Sequence, residues 1–347
     1  MTTGIRFTCR IWPCLESHNG GQFQLFRDKR ALNGLPVKCV IFGGGGFIGS
    51  HVTDAFVARG HDVRVFDRLS SDTRNHIGIP SQIEAIHGDF FNEKDLALAL
   101  SGVEVAVHLV TTTIPSSSNE NMAYDVQTNL AGTLRMLDCA LSAGVRKIVF
   151  ASSGGTVYGR PTIFPIPENH PTEPLCSYGI TKLAIEKYLQ LYQHLYGLEY
   201  IILRLANPFG ERQNPLSGQG AVTTFLAKVA EGASVTVWGD GHVRRDYFYV
   251  GDLVSAFVKA AEQSPRSKIF NIGSGSSLSI NELLSIIRDV TGKNIDVVYS
   301  PSRKLDVPVN CLDTRLAGDE LGWFRQTTIT EGIARTWAWM NAGTLKD

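Results

Sequence analysis

The chain has 347 residues, 43% of them hydrophobic, and its 33 lysines and arginines are balanced by 33 aspartates and glutamates. That length and apolar content are enough for a large buried core, and the lack of a basic excess argues against a nucleic-acid partner, whose phosphates would demand one. No stretch approaches the roughly 18 to 20 apolar residues of a membrane span, and residues 1–36 lack the apolar centre of a secretory signal, so the expectation is a soluble, cytoplasmic protein. The six cysteines (Cys9, Cys14, Cys39, Cys139, Cys176, Cys311) form no CxxC pair. They read as reduced thiols, with no metal site.

Residues 1–36 have no apolar period and are expected to form an irregular extension outside the core. From residue 37 short β-branched runs alternate with helical stretches: strand 37–42, helix 49–59, strand 62–66, strand 83–86, strand 103–109, helix 122–141, strand 147–151, helix 182–196 and strand 200–203. Such alternation indicates parallel βαβ units and predicts an α/β fold with a Rossmann-type doubly wound sheet over 37–206. After Asn207 the texture changes to glycine-rich loops, short strands (234–238, 268–272) and helices (252–262, 280–291). The expectation for 207–347 is a smaller, mainly substrate-binding lobe, with some segments returning to the first domain.

The first strand runs into Gly43-Gly44-Gly45-Gly46-Phe47-Ile48-Gly49. In a strand–turn–helix, Gly43 allows the tight turn, Gly46 the approach of a pyrophosphate and Gly49 close packing of helix on strand, while the helix N-terminus, beginning near Phe47 and Ile48, offers free N–H groups to the phosphates. Asp67 ends the second strand 18 residues past Gly49. A carboxylate there accepts hydrogen bonds from the adenine ribose and repels an additional phosphate, which favours NAD; Arg68 beside it is the residue that leaves NADP open.

Tyr178 and Lys182 stand at i and i+4, on one face of a helix starting near Ser177. An ammonium near a phenol stabilises the phenolate and should pull the tyrosine pKa down from about 10, making it a proton-transfer group. Taken alone the pair is also what an ordinary surface helix offers. Its place after a dinucleotide cradle and after Ser152-Ser153 at the end of a strand favours catalysis.

The chain resembles the extended short-chain dehydrogenase/reductase family, and within it the UDP-glucose 4-epimerase-like, NAD-dependent epimerase/dehydratase enzymes. The resemblance rests on Gly43 to Gly49, Gly88-Asp89, Val107-His108-Leu109, Asn129-Leu130-Ala131-Gly132-Thr133, the Ser152 to Gly159 segment, Tyr178 to Lys182, Asn207-Pro208-Phe209-Gly210, Arg245-Asp246-Tyr247 and Arg303 with Asp306-Val307-Pro308. It implies that Asp89 and Phe90 flank the adenine, that Leu109 touches the dinucleotide, that Lys182 binds the nicotinamide ribose, and that Asn129 steadies the site near Lys182. The alternative for Asn129 is a polar core residue satisfying backbone groups. The resemblance also implies substrate contacts from Thr113, Asn207, Arg245 and Arg303, a gate beside the sugar C2 group at Asn310, and a homodimer built on helices around 121–142 and 182–196. The two arginines could equally form ordinary surface ion pairs.

The sequence departs from the family where its third catalytic residue, a hydroxyl, is usual. Gly154 occupies that position, so Ser153 is the expected catalytic hydroxyl, with Thr156 in reserve. The glycine pair Gly154-Gly155 before Thr156 also lacks the carboxylates that dehydration needs. The resemblance therefore implies a nucleoside-diphosphate-sugar 4-epimerase acting on a UDP-hexose with bound NAD. A nucleotide-sugar reductase or another epimerase of the same superfamily stands as the alternative, and a non-catalytic NAD(H)-binding protein as the reading outside enzymes.

Overall fold

A parallel strand covered on both faces needs apolar side chains pointing both ways. The central strand β1 (Lys38–Phe42) meets this: Cys39 and Ile41 face one core, Val40 and Phe42 the other, and all four are fully buried. The computed structural model describes residues 36–68, 83–302 and 307–342. The chain divides into two units, Met1–Arg30 and Ala31–Asp347; the first, and with it the extension expected over 1–36 except for its last residue, lies outside the described residues.

In chain order β1 is followed by α1 (Phe47–Ala58), β2 (Asp62–Asp67), β3 (Glu84–His87), α2 (Glu93–Leu100), β4 (Val105–His108), α3 (Met122–Asp125), a π turn (Val126–Ala131), α4 (Gly132–Ser142), β5 (Lys147–Ser153), α5 (Ser177–Tyr196) and β6 (Glu199–Leu205). Then come β7 (Asn207–Phe209), α6 (Ala221–Glu231), β8 (Val235–Trp238), β9 (Arg244–Arg245), β10 (Tyr247–Tyr249), α7 (Val250–Glu262), β11 (Ile269–Ile272), β12 (Leu278–Ser279), α8 (Ile280–Thr291), β13 (Val297–Ser300), α9 (Arg315–Leu321) and α10 (Ile329–Asn341).

Seven of the strands form one sheet in the order β11-β6-β5-β4-β1-β2-β3, and every pairing in it is parallel. Helices α1 and α7 pack together over one face, where Val52, Phe56, Leu253 and Phe257 are buried with the odd-facing strand residues. Helices α2, α4 and α5 cover the other with Leu96, Met136, Ile185 and Leu189. Each such fully buried side chain contributes about 1.5–3 kcal/mol. The expected doubly wound α/β sheet is what forms, and β11 is the late segment that returns to it.

The order reverses between β1 and β4, and open α/β sheets bind ligands in the crevice beyond the carboxyl ends of strands at such a point. Here those ends are Gly43 and Leu109, and a side chain built on Gly43 would lie 3.4 Å from the Leu109 carbonyl carbon. The remaining strands pair in twos, β7 with β10, β9 with β12 and β8 with β13. The helix expected over 122–141 is broken in phase by the π turn, which adds a residue to one turn and reorients Thr128 and Asn129 into the interior.

Candidate active site

The glycine turn is fixed by backbone geometry. Gly43 sits at φ +82 and its N–H donates to the Phe66 carbonyl at 2.9 Å. A Cβ on Gly49 would fall 2.0 Å from the Gly43 carbonyl oxygen, so no side chain fits there without moving α1 off the turn. Asp67 accepts from the Gly45 N–H at 2.7 Å and from the Arg68 N–H at 2.8 Å. Its carboxylate is thereby tied to the turn rather than left to swing at the end of β2.

Beyond these strand ends lies a cleft of about 1640 Å³, larger than the roughly 300–1,000 Å³ of a single small-ligand site. Gly43, Gly46, Phe47, Ile48 and Gly49 line it together with Asp67, Phe90 and Leu109. Ser153, Thr156, Tyr178 and Lys182 line its middle, and Asn207, Arg245 and Asn310 its far part. Three of the sequence-selected residues stand elsewhere. Asp89 is exposed and accepts from the Phe91 N–H at 3.0 Å. Thr113 and Asn129 are buried behind the wall formed by Thr111 and Thr112. Arg303 lies outside the described residues.

Lys182 is buried and donates to the Ala151 carbonyl at 2.9 Å, its ammonium 4.8 Å from the Phe150 ring centre and 5.6 Å from that of Tyr178. Burial lowers its pKa to about 8, while Asp125 and Glu186 hold it up. The expected depression of the Tyr178 pKa is not what the chain alone produces. Burial first, then the Cys176 thiol and the Asp125 carboxylate, push the phenol above its ordinary range.

Glycine at 154 has a packing cause: a Cβ there would lie 2.5 Å from Leu312 Cδ1 and 3.2 Å from the Arg204 carbonyl oxygen. Leu312 thus occupies the room a side chain at 154 would need, and the Asn310 amide donates to the Gly154 carbonyl at 3.0 Å. Of the two candidate hydroxyls, Thr156 Oγ1 is buried without a partner among the described residues. Ser153 is half-buried at the mouth of β5.

The strand behind the site carries a buried ion pair. Arg204 donates to Glu186 through Nε at 3.0 Å and Nη2 at 2.6 Å, and to the Tyr158 hydroxyl at 2.9 Å. Ser152 also donates to Glu186, at 2.5 Å. His108, packed on Phe90 at 5.3 Å, is held neutral by burial and the nearby Lys182, with its pKa lowered to about 3. Because the Thr133 hydroxyl donates to the Asn129 carbonyl at 2.6 Å, the His108 Nε2 at 2.9 Å must be the donor to Thr133.

The far part of the cleft is set by Asp246, fully buried, which accepts from the Ser274 N–H at 2.6 Å and the Leu312 N–H at 3.1 Å. Arg245 beside it donates to the Val307 carbonyl at 2.6 Å. Asn207 donates through its side-chain amide to the Asp246 carbonyl at 3.1 Å. Two residues the sequence reading passed over also belong to this site. Arg212, at φ +63, lines the cleft and pairs with Asp54 of α1 at 2.7 Å. Asp125 stands behind Tyr178; its position four residues before Asn129 on a helix was the available signal.

The geometry fits a dinucleotide: a turn that excludes side chains, an anchored carboxylate at the end of β2, and a long cleft at the strand reversal. Residues 39–273 match the NAD dependent epimerase/dehydratase family. The chain belongs to that family. It is 35% identical over 305 residues to the UDP-glucose 4-epimerase of Mycolicibacterium smegmatis, an alignment covering 86% of this chain and 97% of that one. Among solved structures it resembles the UDP-glucose 4-epimerase of Thermotoga maritima with UDP-glucose (TM-score 0.84, 34% identity, 88% and 99% of the two chains). It also resembles the Thermus thermophilus UDP-glucose 4-epimerase in complex with NAD (TM-score 0.82, 31% identity, 88% and 99%). As a member of this family the chain is an NAD-dependent enzyme of the extended short-chain dehydrogenase/reductase type.

Proposed function

We propose that this chain interconverts the C4 epimers of a UDP-hexose, of the UDP-glucose and UDP-galactose type. The observation that carries this reading is the chemistry of the cleft wall: among the described residues Asp67 is the sole carboxylate lining it. Dehydration needs an additional acid and base at the sugar; epimerisation needs one group that takes and returns a proton.

In this reading Gly43, Gly46, Phe47, Ile48 and Gly49 receive the pyrophosphate of NAD, Asp67 its adenine ribose, Phe90 the adenine side, Leu109 the dinucleotide and Lys182 the nicotinamide ribose. Asp89 and Asn129 support these through backbone and buried contacts. NAD, when bound, supplies a hydride acceptor and donor together with a cationic ring. Tyr178 takes the C4 hydroxyl proton and later returns it, and Ser153 holds that hydroxyl in line. Lys182, cationic at neutral pH, stabilises the phenolate once the cleft is filled. Arg245 and Arg303 hold the diphosphate, Asn207 the sugar or its phosphate, and Asn310 borders the C2 group, with Thr113 reaching the sugar only through the Thr111 and Thr112 wall.

A second copy of the chain is the proposed partner. Met122, Val126, Ile180, Leu191 and Leu195 form an exposed apolar set on α3, the π turn and α5, larger than scattered surface residues need. Within the helix expected at the interface over 182–196, Leu189 and Tyr192 turn inward and Tyr196 outward. The four described cysteines are free thiols, which supports a cytoplasmic setting, and no helix among the described residues is long and apolar enough to cross a membrane.

The test is to incubate the purified protein with UDP-glucose and, separately, UDP-galactose without added cofactor, following C4 configuration by proton NMR. Convergence on one mixture from both sides is expected. Turnover that occurs only with stoichiometric NAD(P)H would replace this reading with a reductase.

A further inference from the structure

Asp125 is completely buried, yet it forms no ion pair among the described residues. Its four lone-pair positions are filled instead by side-chain donors: Oδ1 accepts from Thr113 Oγ1 at 2.5 Å and Asn129 Nδ2 at 2.8 Å, and Oδ2 accepts from Ser177 Oγ at 2.6 Å and Thr181 Oγ1 at 2.7 Å. Ser177 and Thr181 are the residues one before and three after Tyr178, so both donors come from the turn of α5 that carries the phenol. Thr113 lies directly behind the cleft wall and Asn129 in the π turn. Asn129 in turn accepts from the Thr112 N–H at 2.9 Å, and the Ser118 hydroxyl and Asn119 side chain receive the N–H groups of Tyr178 and Ser177.

We propose that Asp125 is a positioning residue for the Tyr178–Lys182 pair: it ties the first turn of α5 to the cleft wall and places one fixed negative charge behind both proton-transfer groups. A neutral hydrogen-bonding residue would serve as a clamp. A carboxylate that forgoes water needs a further reason, since burying it without a cation is costly even when fully hydrogen-bonded. The four hydrogen bonds are strong enough to keep its pKa below the usual carboxylate value against the opposing effect of burial. It therefore stays ionised at neutral pH, where it favours the ammonium of Lys182 and opposes premature ionisation of Tyr178. The other titratable or charged groups around the pair are Glu186, bridged to Arg204, the Cys176 thiol at the head of α5, and neutral His108 from β4.

This inference rests on Tyr178 and Lys182 being the proton-transfer pair, and the experiment separates the two ideas. The holoenzyme, Asp125→Asn, Asp125→Ser and Tyr178→Phe are compared for kcat and KM against pH. Removing a negative charge lowers the pKa of every neighbour, so both limbs of the kcat profile should move to lower pH by about one unit in the neutral variants. kcat at its optimum should fall on the order of 10- to 100-fold with KM within about threefold. A residue that only stabilised the fold would lower the profile without moving it, and that result, or an unchanged kcat, overturns the proposal.

Asp125→Ser, smaller and unable to oppose its donors with an amide, keeps charge removal testable if the asparagine variant folds poorly. An active Tyr178→Phe enzyme would instead refute the assignment of the pair. Independently of turnover, competitive acetylation of Lys182 read by peptide mass spectrometry should give a midpoint about one pH unit lower without Asp125 than with it. Equal midpoints also overturn the proposal.

Discussion

Replacing Arg204 by methionine should unmask the cost of the buried carboxylate behind the site. The side chains of Arg204 and Glu186 are 3% and 0% exposed, so neither charge has water to fall back on. Arg204→Met strips Glu186 of two charged hydrogen bonds, at 3.0 and 2.6 Å, and leaves it, among the described residues, the Ser152 hydroxyl. It also removes the donor to Tyr158 and the cation 4.9 Å above that ring. Deleting one member of a buried pair costs about 3–5 kcal/mol, because the other charge stays uncompensated. Glu186→Gln should cost less, about 2–3 kcal/mol, since the guanidinium keeps the Tyr158 hydroxyl and the Glu168 carbonyl at 3.1 Å. In the double variant Glu186→Leu with Arg204→Met neither charge of this pair remains, and the loss should shrink to about 1–2 kcal/mol, the orphaned Ser152 hydroxyl being the main residue of it. Urea unfolding followed through tryptophan emission, with NAD at one fixed saturating concentration, measures all three. Additive losses, or a single-variant cost below about 1 kcal/mol, would refute the argument.

Three further outcomes rest on individual contacts. Ser153→Ala should lower kcat on the order of 100-fold, whereas Thr156→Ala should leave it within about threefold; steady-state epimerisation reverses the assignment if the ranking is opposite. Gly49→Ala should abolish retention of NAD through purification, read by absorbance after acid release, since its Cβ meets the Gly43 oxygen at 2.0 Å; a holoenzyme variant with normal NAD content would contradict the cradle. Lys147, buried by α7 and donating to the carbonyls of Ala260, Ala261 and Gln263, has its pKa lowered by burial to about 8 from 10.5. The unfolded chain therefore holds more protons at this group between those values, and the wild type should gain stability relative to Lys147→Met as pH rises from 8 to 10.5; parallel stability curves would contradict it.

The strands of the sheet were legible because each is a short β-branched run between helical stretches, and the Tyr178 and Lys182 face because i and i+4 coincide on any α-helix. What eluded the sequence depended on neighbours distant in the chain. Asn129 and Thr113 were placed by the resemblance alone, which does not reveal that the π turn at 126–131 and the Asp125 carboxylate hold both in the interior behind Thr111 and Thr112. The Tyr178 pKa lies above the expected range for a similar reason: spacing places the ammonium close, but the burial of the phenol and the Cys176 and Asp125 groups facing it come from the tertiary fold. Gly154 made sense only once Leu312 was seen to fill its space.

The return of β11 to the main sheet has a consequence for how the protein is made. When β6 leaves the ribosome its far edge, with Ile202, Leu203 and Leu205 destined for burial, has no partner until Ile269–Ile272 has been translated. A nascent chain thus carries an open, apolar sheet edge through the whole synthesis of α6, β10 and α7. Such edges are templates for pairing between molecules, so slowed translation before Ile269–Ile272 has emerged from the ribosome should favour aggregation more than an equal pause afterwards, when the edge is closed.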